Sequence, residues 1–156
     1  MLIPERVLLR SGGHAWQRAW LSPQHDRTSP ALHPVTIMVV DDDERGRWVT
    51  ARMLRDEGYQ VIEARSGEQA FERLLDAGEV SVVLADIAMP GGMDGVQLAE
   101  KVLASTPWRR VILMSGYDKL FPQLGSAGSQ YPLLMKPFSA DQLTRQVLAV
   151  LKGQIH

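Results

Sequence analysis

The sequence contains no cysteine, which excludes disulfides, thiolate chemistry and cysteine-ligated metal sites. That composition fits a reducing compartment, and a cytoplasmic location is expected. No apolar run approaches the ~20 residues needed to cross a bilayer, so no membrane partner is expected. The opening MLIPERVLLR has an early proline and acid and lacks a long apolar core, unlike a secretory signal. Charge of one sign is not in excess either: 17 Lys and Arg face 18 Asp and Glu, a formal net charge of −1. Such a balance gives no reason to expect direct nucleic-acid binding. Internal repeats and low-complexity tracts are also missing. What is present is a chain of 156 residues, 45% hydrophobic and 22% charged, sized for one soluble domain with a sizeable core.

Residues 1–34 hold Pro4, Pro23, Pro30 and Pro34, with Gly12 and Gly13, and four arginines against Glu5 and Asp26. Lacking sustained periodicity, this segment reads as a poorly ordered, mildly basic extension. The alternative to that reading is a short docking helix, one side of which Trp16 and Trp20, four apart, would share. His14, His25 and His33 are too widely spaced for a metal site.

From Val35 the pattern becomes regular. Short apolar, β-branched runs occur at 35–40, 59–64, 80–85, 109–114 and 132–135, as in strands covered on both faces. Helical spacing lies between them. Val49, Met53 and Leu54 mark the first helix, with Gly58 as its stop. Ala70, Phe71, Leu74 and Leu75 mark the second, Val96, Ala99, Val102 and Leu103 the third, and Leu143, Val147, Leu148 and Leu151 the last. Ser66 with Gln69 and Ser139 with Gln142 read as capping boxes, and Asp94 as an N-cap. A further helix is expected after Ser115, but Pro122, Gly125 and Gly128 make it short or irregular. This alternation implies a doubly wound, five-stranded parallel sheet with right-handed crossovers.

Ligands of such sheets bind beyond the carboxyl ends of the strands. Asp41, Asp42 and Asp43 follow the first strand, Asp86 the third, Ser115 the fourth and Lys136 the fifth. The second strand ends in EARSG and offers nothing comparable. Taken singly, each residue has a bland explanation: an acid cluster suits a helix dipole, and a lone Ser or Lys suits a turn or a solvated surface. Their convergence on one rim points instead to phosphoryl transfer onto a carboxylate. Crowded aspartates need a hard, oxygen-loving cation such as Mg²⁺. A nucleophilic Asp, that cation, a hydroxyl and a lysine together neutralise the oxygens of a transferring phosphoryl group.

The motifs VVDDD, LADIAMPGGMDG, ILMSGY and LMKPF resemble, in order and spacing, those of the receiver domain of bacterial two-component response regulators (CheY-like). The resemblance covers about residues 35–152, leaving 153–156 as a tail. It implies a flavodoxin-like sheet of strand order 2-1-3-4-5. It also implies that Asp86 accepts a phosphoryl group from a sensor histidine kinase or a histidine phosphotransfer protein. Asp41 and Asp42 then match the acidic pair that holds Mg²⁺, Asp42 directly and Asp41 largely through water. Asp86 and the backbone carbonyl of Ala88 match the remaining protein ligands. Ser115 matches the switch hydroxyl and Lys136 the phosphoryl-pairing lysine, and the peptide before Pro137 is cis in the family. Asp43 and Glu44 are left to begin the first helix. Two departures stand out. Leu133 occupies a position that is usually aromatic, with Tyr131 nearby. The PGGMDG loop is one residue longer than the common PGMDG, a variant associated with receivers attached to or serving sensor kinases.

Only KGQIH follows Leu151, so a single-domain regulator is expected. It would be a phosphoacceptor rather than an enzyme, acting on a downstream target by protein contact. Two alternatives stand beside it. Asp41-x-Asp43 also resembles the opening D-x-D of haloacid-dehalogenase-like phosphatases, with Ser115 and Lys136 as later motifs. That family needs an acidic pair after the lysine, where only Asp141 is available, and no insertion is long enough for a cap domain. The other alternative is a receiver fold that acts as an interaction module without phosphorylation.

Overall fold

The computed structural model describes residues 34–116 and 130–153. The expectations for the amino-terminal extension, including Trp16 and Trp20, for the helix after Ser115 and for the final residues fall outside these ranges. In chain order the elements are β1 (Thr36–Val40), α1 (Glu44–Asp56), β2 (Gln60–Ala64), α2 (Gly67–Asp76), β3 (Val80–Asp86), α3 (Gly95–Ser105), β4 (Arg110–Ser115), β5 (Leu133–Met135) and α4 (Ala140–Leu151). The strands form one five-stranded sheet of order β2-β1-β3-β4-β5, and every neighbouring pair is parallel. This is the doubly wound arrangement expected from the alternation of runs.

Side chains alternate across the sheet because successive Cβ atoms of a strand point to opposite faces. Met38, Val40, Val83, Ala85, Val111 and Leu113 pack with Ala70 and Leu74 of α2 and Leu98, Ala99 and Val102 of α3. Ile37, Val39, Val82, Leu84, Ile112 and Met114 pack on the other face with Leu54 of α1 and Leu143, Val147 and Val150 of α4. Both faces are covered, so β1 and nearly all of β3 are buried end to end. Each fully buried aliphatic side chain contributes about 1.5–3 kcal/mol. A register shift between Thr36 and Ile37 against β3 accounts for Val80 facing the first cluster although Val82 and Leu84 face the second.

The helix faces differ from expectation in three places. In α1 the buried residues are Thr50, Ala51 and Leu54, whereas Val49 is 43% exposed. Leu75 and Leu148 are exposed as well, and Val150 takes the core position in α4. The caps are nearer to expectation. Ser139–Gln142 is a full capping box and Asp94 forms one with Gln97. Ser66 accepts the Gln69 N–H, but Gln69 reaches back to Arg65 N, one residue before the cap, so this box is not reciprocal. Gly58 follows the end of α1 with φ of +91°, a conformation that glycine adopts without a Cβ clash.

Candidate functional site

Register places the polar strand ends together. Val40 of β1 pairs with Ala85 of β3, so Asp41 and Asp86 arrive side by side. Asp86 lies opposite Met114, and Ser115 opposite Met135, which brings Ser115 and Lys136 to the same rim. Lys136 N–H donates to the Ser115 carbonyl at 2.7 Å, and the Lys136–Pro137 peptide is cis. Asp41, Asp86 and Ser115 are all buried.

Lys136 closes the arrangement. Its Nζ lies 2.7 Å from Oδ2 of Asp41 and 2.7 Å from Oδ2 of Asp86. The other oxygens are held by backbone: Asp43 N–H donates to Asp41 Oδ1 at 2.9 Å, and Ala88 N–H to Asp86 Oδ1 at 3.0 Å. Burial pushes the Asp86 carboxyl above its ordinary pKa, and the nearby Asp41 charge adds to the rise. Lys136 and the Ala88 N–H pull it back only in part. For Lys136 burial works against the ammonium, but the hydrogen bonds and charges of Asp41 and Asp86 outweigh it and raise its pKa.

The four acids of DDDE separate by role. Asp41 is fully buried and faces Lys136, while Asp42 is exposed. Asp43 is the N-cap of α1, accepting the Gly46 N–H at 2.9 Å, and Glu44 lies in the first turn. There their charge favours the positive end of the helix dipole. Asp43 thus serves as the cap of the helix, its Oδ2 engaged by the Gly46 N–H. Asp41, Asp42 and Asp86 each offer a carboxylate oxygen within 4.8 Å of the others. All-oxygen donors suit a hard divalent ion, and one lysine against three carboxylates leaves negative charge for it to neutralise. The donor set fits Mg²⁺.

Several supporting residues carry no signal in the sequence. Arg47 Nη1 donates to the Asp41 carbonyl at 2.8 Å and its Nε lies 3.5 Å from Glu63, so β2 does contribute to this rim. The loop after Asp86 is fastened to α2: Glu68 Oε1 accepts the Met93 N–H at 2.6 Å, which holds the Glu68 carboxyl below the usual range. A Cβ on Gly95 would collide with the Asp86 carbonyl oxygen, so only glycine lets α3 begin this close to the end of β3. Leu133 and Tyr131 pack against the first core cluster. A cavity of about 600 Å³ lined by Thr36, Gln60 and Val80 lies at the opposite, amino-terminal end of the strands, away from the acids.

A doubly wound parallel sheet with a lysine-bridged acid pocket at its carboxyl rim defines a class, and the comparisons name it. The family model for the response regulator receiver domain matches residues 37–148. The sensor kinase CckA of Brucella abortus is 36% identical over 121 residues, which cover 76% of this chain and 13% of that kinase. The chain thus spans a small share of that relative's length. A response regulator receiver protein from Sinorhizobium medicae superposes with a TM-score of 0.71 at 29% identity, covering 80% of this chain and 99% of its own. TrrA from Thermotoga maritima, solved with Mg²⁺ and BeF, gives a TM-score of 0.67 at 26% identity over 74% of this chain and 98% of its own. The chain belongs to the response regulator receiver domain family, the phosphoacceptor modules of two-component signalling, which interact with histidine kinases and bind Mg²⁺ at an acidic pocket.

Proposed function

We propose that this receiver, assigned to residues 35–152 between an extension (1–34) and a tail (153–156), accepts a phosphoryl group on Asp86. The donor is the phosphohistidine of a sensor histidine kinase or histidine phosphotransfer protein. The observation that carries this reading is the bridging of Asp41 and Asp86 by one lysine, at 2.7 Å to each, with Asp42 completing a three-carboxylate cluster. Asp41, Asp42, Asp86 and the Ala88 carbonyl are assigned as the Mg²⁺ ligands. Bound there, the ion would offset the charge of the phosphoryl oxygens.

An oxygen of Asp86 attacks phosphorus, the phosphorus–nitrogen bond breaks, and the leaving imidazole takes up a proton. Lys136, already poised between the two acids, pairs with the phosphoryl oxygens, and the Ser115 hydroxyl donates a hydrogen bond to them. Such catalysis is mostly positioning and electrostatics. The chain is a phosphoacceptor whose transfer and dephosphorylation are self-catalysed, not an enzyme acting on a separate substrate.

The donor must reach Asp86 as a protein, and a groove beside Lys136 suits that approach. It encloses about 340 Å³ and is lined by Val49, Met53, Pro137 and Phe138, an apolar surface next to a charged mouth. Downstream signalling by protein contact and a cytoplasmic location are part of the same reading. No described helix is long and apolar enough to cross a membrane. Similarity to a sensor kinase, together with the long PGGMDG loop, favours service to or within such a kinase.

The test is beryllofluoride binding with Mg²⁺, together with labelling by a small acyl or amido phosphate. Binding by the parent and none by Asp86→Ala is expected, with the label on Asp86. A label on Asp41 would instead overturn the assignment, and absence of any binding by the parent would favour a receiver fold that works without phosphorylation.

A further inference from the structure

We propose that Arg47 is a positioning residue of the acid pocket: braced by Glu63, it fixes the peptide that joins Asp41 to Asp42 and so sets where the two carboxylates point. The inference rests on the reading of that pocket as a cation-dependent phosphoacceptor site.

Arg47 sits one turn into α1, where a helix arginine would ordinarily extend into water. Here its side chain is only 15% exposed and folds back under the β1–α1 turn. Nη1 donates to the Asp41 carbonyl at 2.8 Å, a hydrogen bond strengthened by the guanidinium charge. Nε lies 3.5 Å from Glu63 Oε2. Glu63 is itself held, since its Oε1 accepts from Arg55 Nη2 at 2.9 Å. The next residue, Ala64, accepts the Asp41 N–H at 3.2 Å. The Asp41 backbone is therefore gripped on both sides by β2, its N–H directly and its carbonyl through Arg47. Its side chain is gripped as well, by Asp43 N–H and Lys136. Turning the Asp41–Asp42 peptide breaks the Arg47 bond, and exposed Asp42 takes its direction from that peptide.

Charge and geometry act in opposite directions at this position. A guanidinium near a cation site repels the cation, so removing it on electrostatic grounds alone strengthens cation binding. Removing a group that orients the ligands weakens binding, typically by about 10–100-fold. The sign of the effect therefore separates a positioning role from a mere neighbouring charge.

The experiment is calorimetric titration of Mg²⁺ alone into the full chain as parent, Arg47→Lys and Arg47→Gln, with folding checked by circular dichroism and thermal melting. The expected order of affinity is parent, then Arg47→Lys, then Arg47→Gln, with the last weaker by about tenfold. Tighter binding by Arg47→Gln, or a lysine variant equal to the parent, overturns the inference. Should Arg47→Gln fail to fold, the lysine variant decides alone, because it keeps the charge and loses the two-point geometry. A parent that binds no Mg²⁺ overturns the reading of the pocket, and this inference with it; a reversed order overturns the inference only.

Discussion

Asp86 and Lys136 are 50 residues apart in sequence and 2.7 Å apart in space, and the same ammonium holds Asp41 at an equal distance. Removing one partner of a fully buried charge pair costs about 3–5 kcal/mol. Lys136 keeps 27% of its side-chain surface, so Lys136→Met is expected to lose nearer about 2 kcal/mol, because solvent already screens part of the interaction. Chemical denaturation at neutral pH in a chelator measures this, and added Mg²⁺ should recover part of the loss by replacing the missing positive charge. An unchanged midpoint would mean that the pair contributes no stability.

Asp86 also predicts a pH dependence whose sign is fixed by its raised pKa. Below the ordinary carboxylate value, about 3.9, Asp86 is protonated in both folded and unfolded chains and imposes no penalty. As pH rises from there through the folded value, the unfolded chain loses its proton first and folding stability falls. The loss then persists at higher pH. Asp86→Asn has no such proton, so in metal-free buffer its stability relative to the parent should grow across that window and then level off. Lys136 does not interfere, since its raised pKa matters only on the alkaline side. A stability difference that stays flat or shrinks with rising pH would contradict the prediction.

Asp42 differs from its neighbour in being exposed, so its removal should separate function from folding. Asp42→Ala is expected to abolish Mg²⁺-dependent phosphorylation by a small phosphodonor while changing stability by no more than about 0.5 kcal/mol. Relief of carboxylate repulsion should make any change a gain. Phosphoprotein electrophoresis and a thermal melt check the two halves. A large fall in melting temperature would show that Asp42 is structural.

Much of this molecule was legible because its information is periodic or ordered along the chain. Apolar runs located the strands, since a strand buried on both faces has few polar letters. The polar residues ending four of those runs marked the rim, and their order carried the resemblance to receivers. Helix faces were less legible. Leu75 and Leu148 fall within apolar helical stripes yet face solvent, because the neighbouring element, not the period, decides how wide a stripe is buried. Least legible were the cross-links between side chain and backbone. Glu68 meets Met93 and Arg47 meets the Asp41 carbonyl, contacts that depend on a loop's path and that no spacing announces. Arg109 belongs with them: read as the start of a strand, it is a buried tie.

That tie gives a prediction far from the acids. Arg109 is only 4% exposed, and its guanidinium serves the opposite end of the sheet. Nε donates to the Val80 carbonyl at 3.1 Å, and Nη2 to the carbonyls of Leu74 and Ala77, each at 3.1 Å. Nη1 donates to Thr106 Oγ1 at 3.2 Å, and the Trp108 ring centroid lies 4.9 Å from Cζ. The guanidinium thereby joins the end of α2, the start of β3 and the turn before β4. Each buried acceptor left without a donor costs about 1–3 kcal/mol. Arg109→Met, which fills similar space without donors, should therefore lose about 3 kcal/mol or more in denaturant unfolding. Because none of these contacts reaches the carboxyl rim, the folded fraction of the variant should still bind Mg²⁺ and accept a phosphoryl group like the parent. Equal stability would show that water replaces the guanidinium at no cost. A selective loss of phosphorylation in fully folded protein would instead tie Arg109 to the distant site.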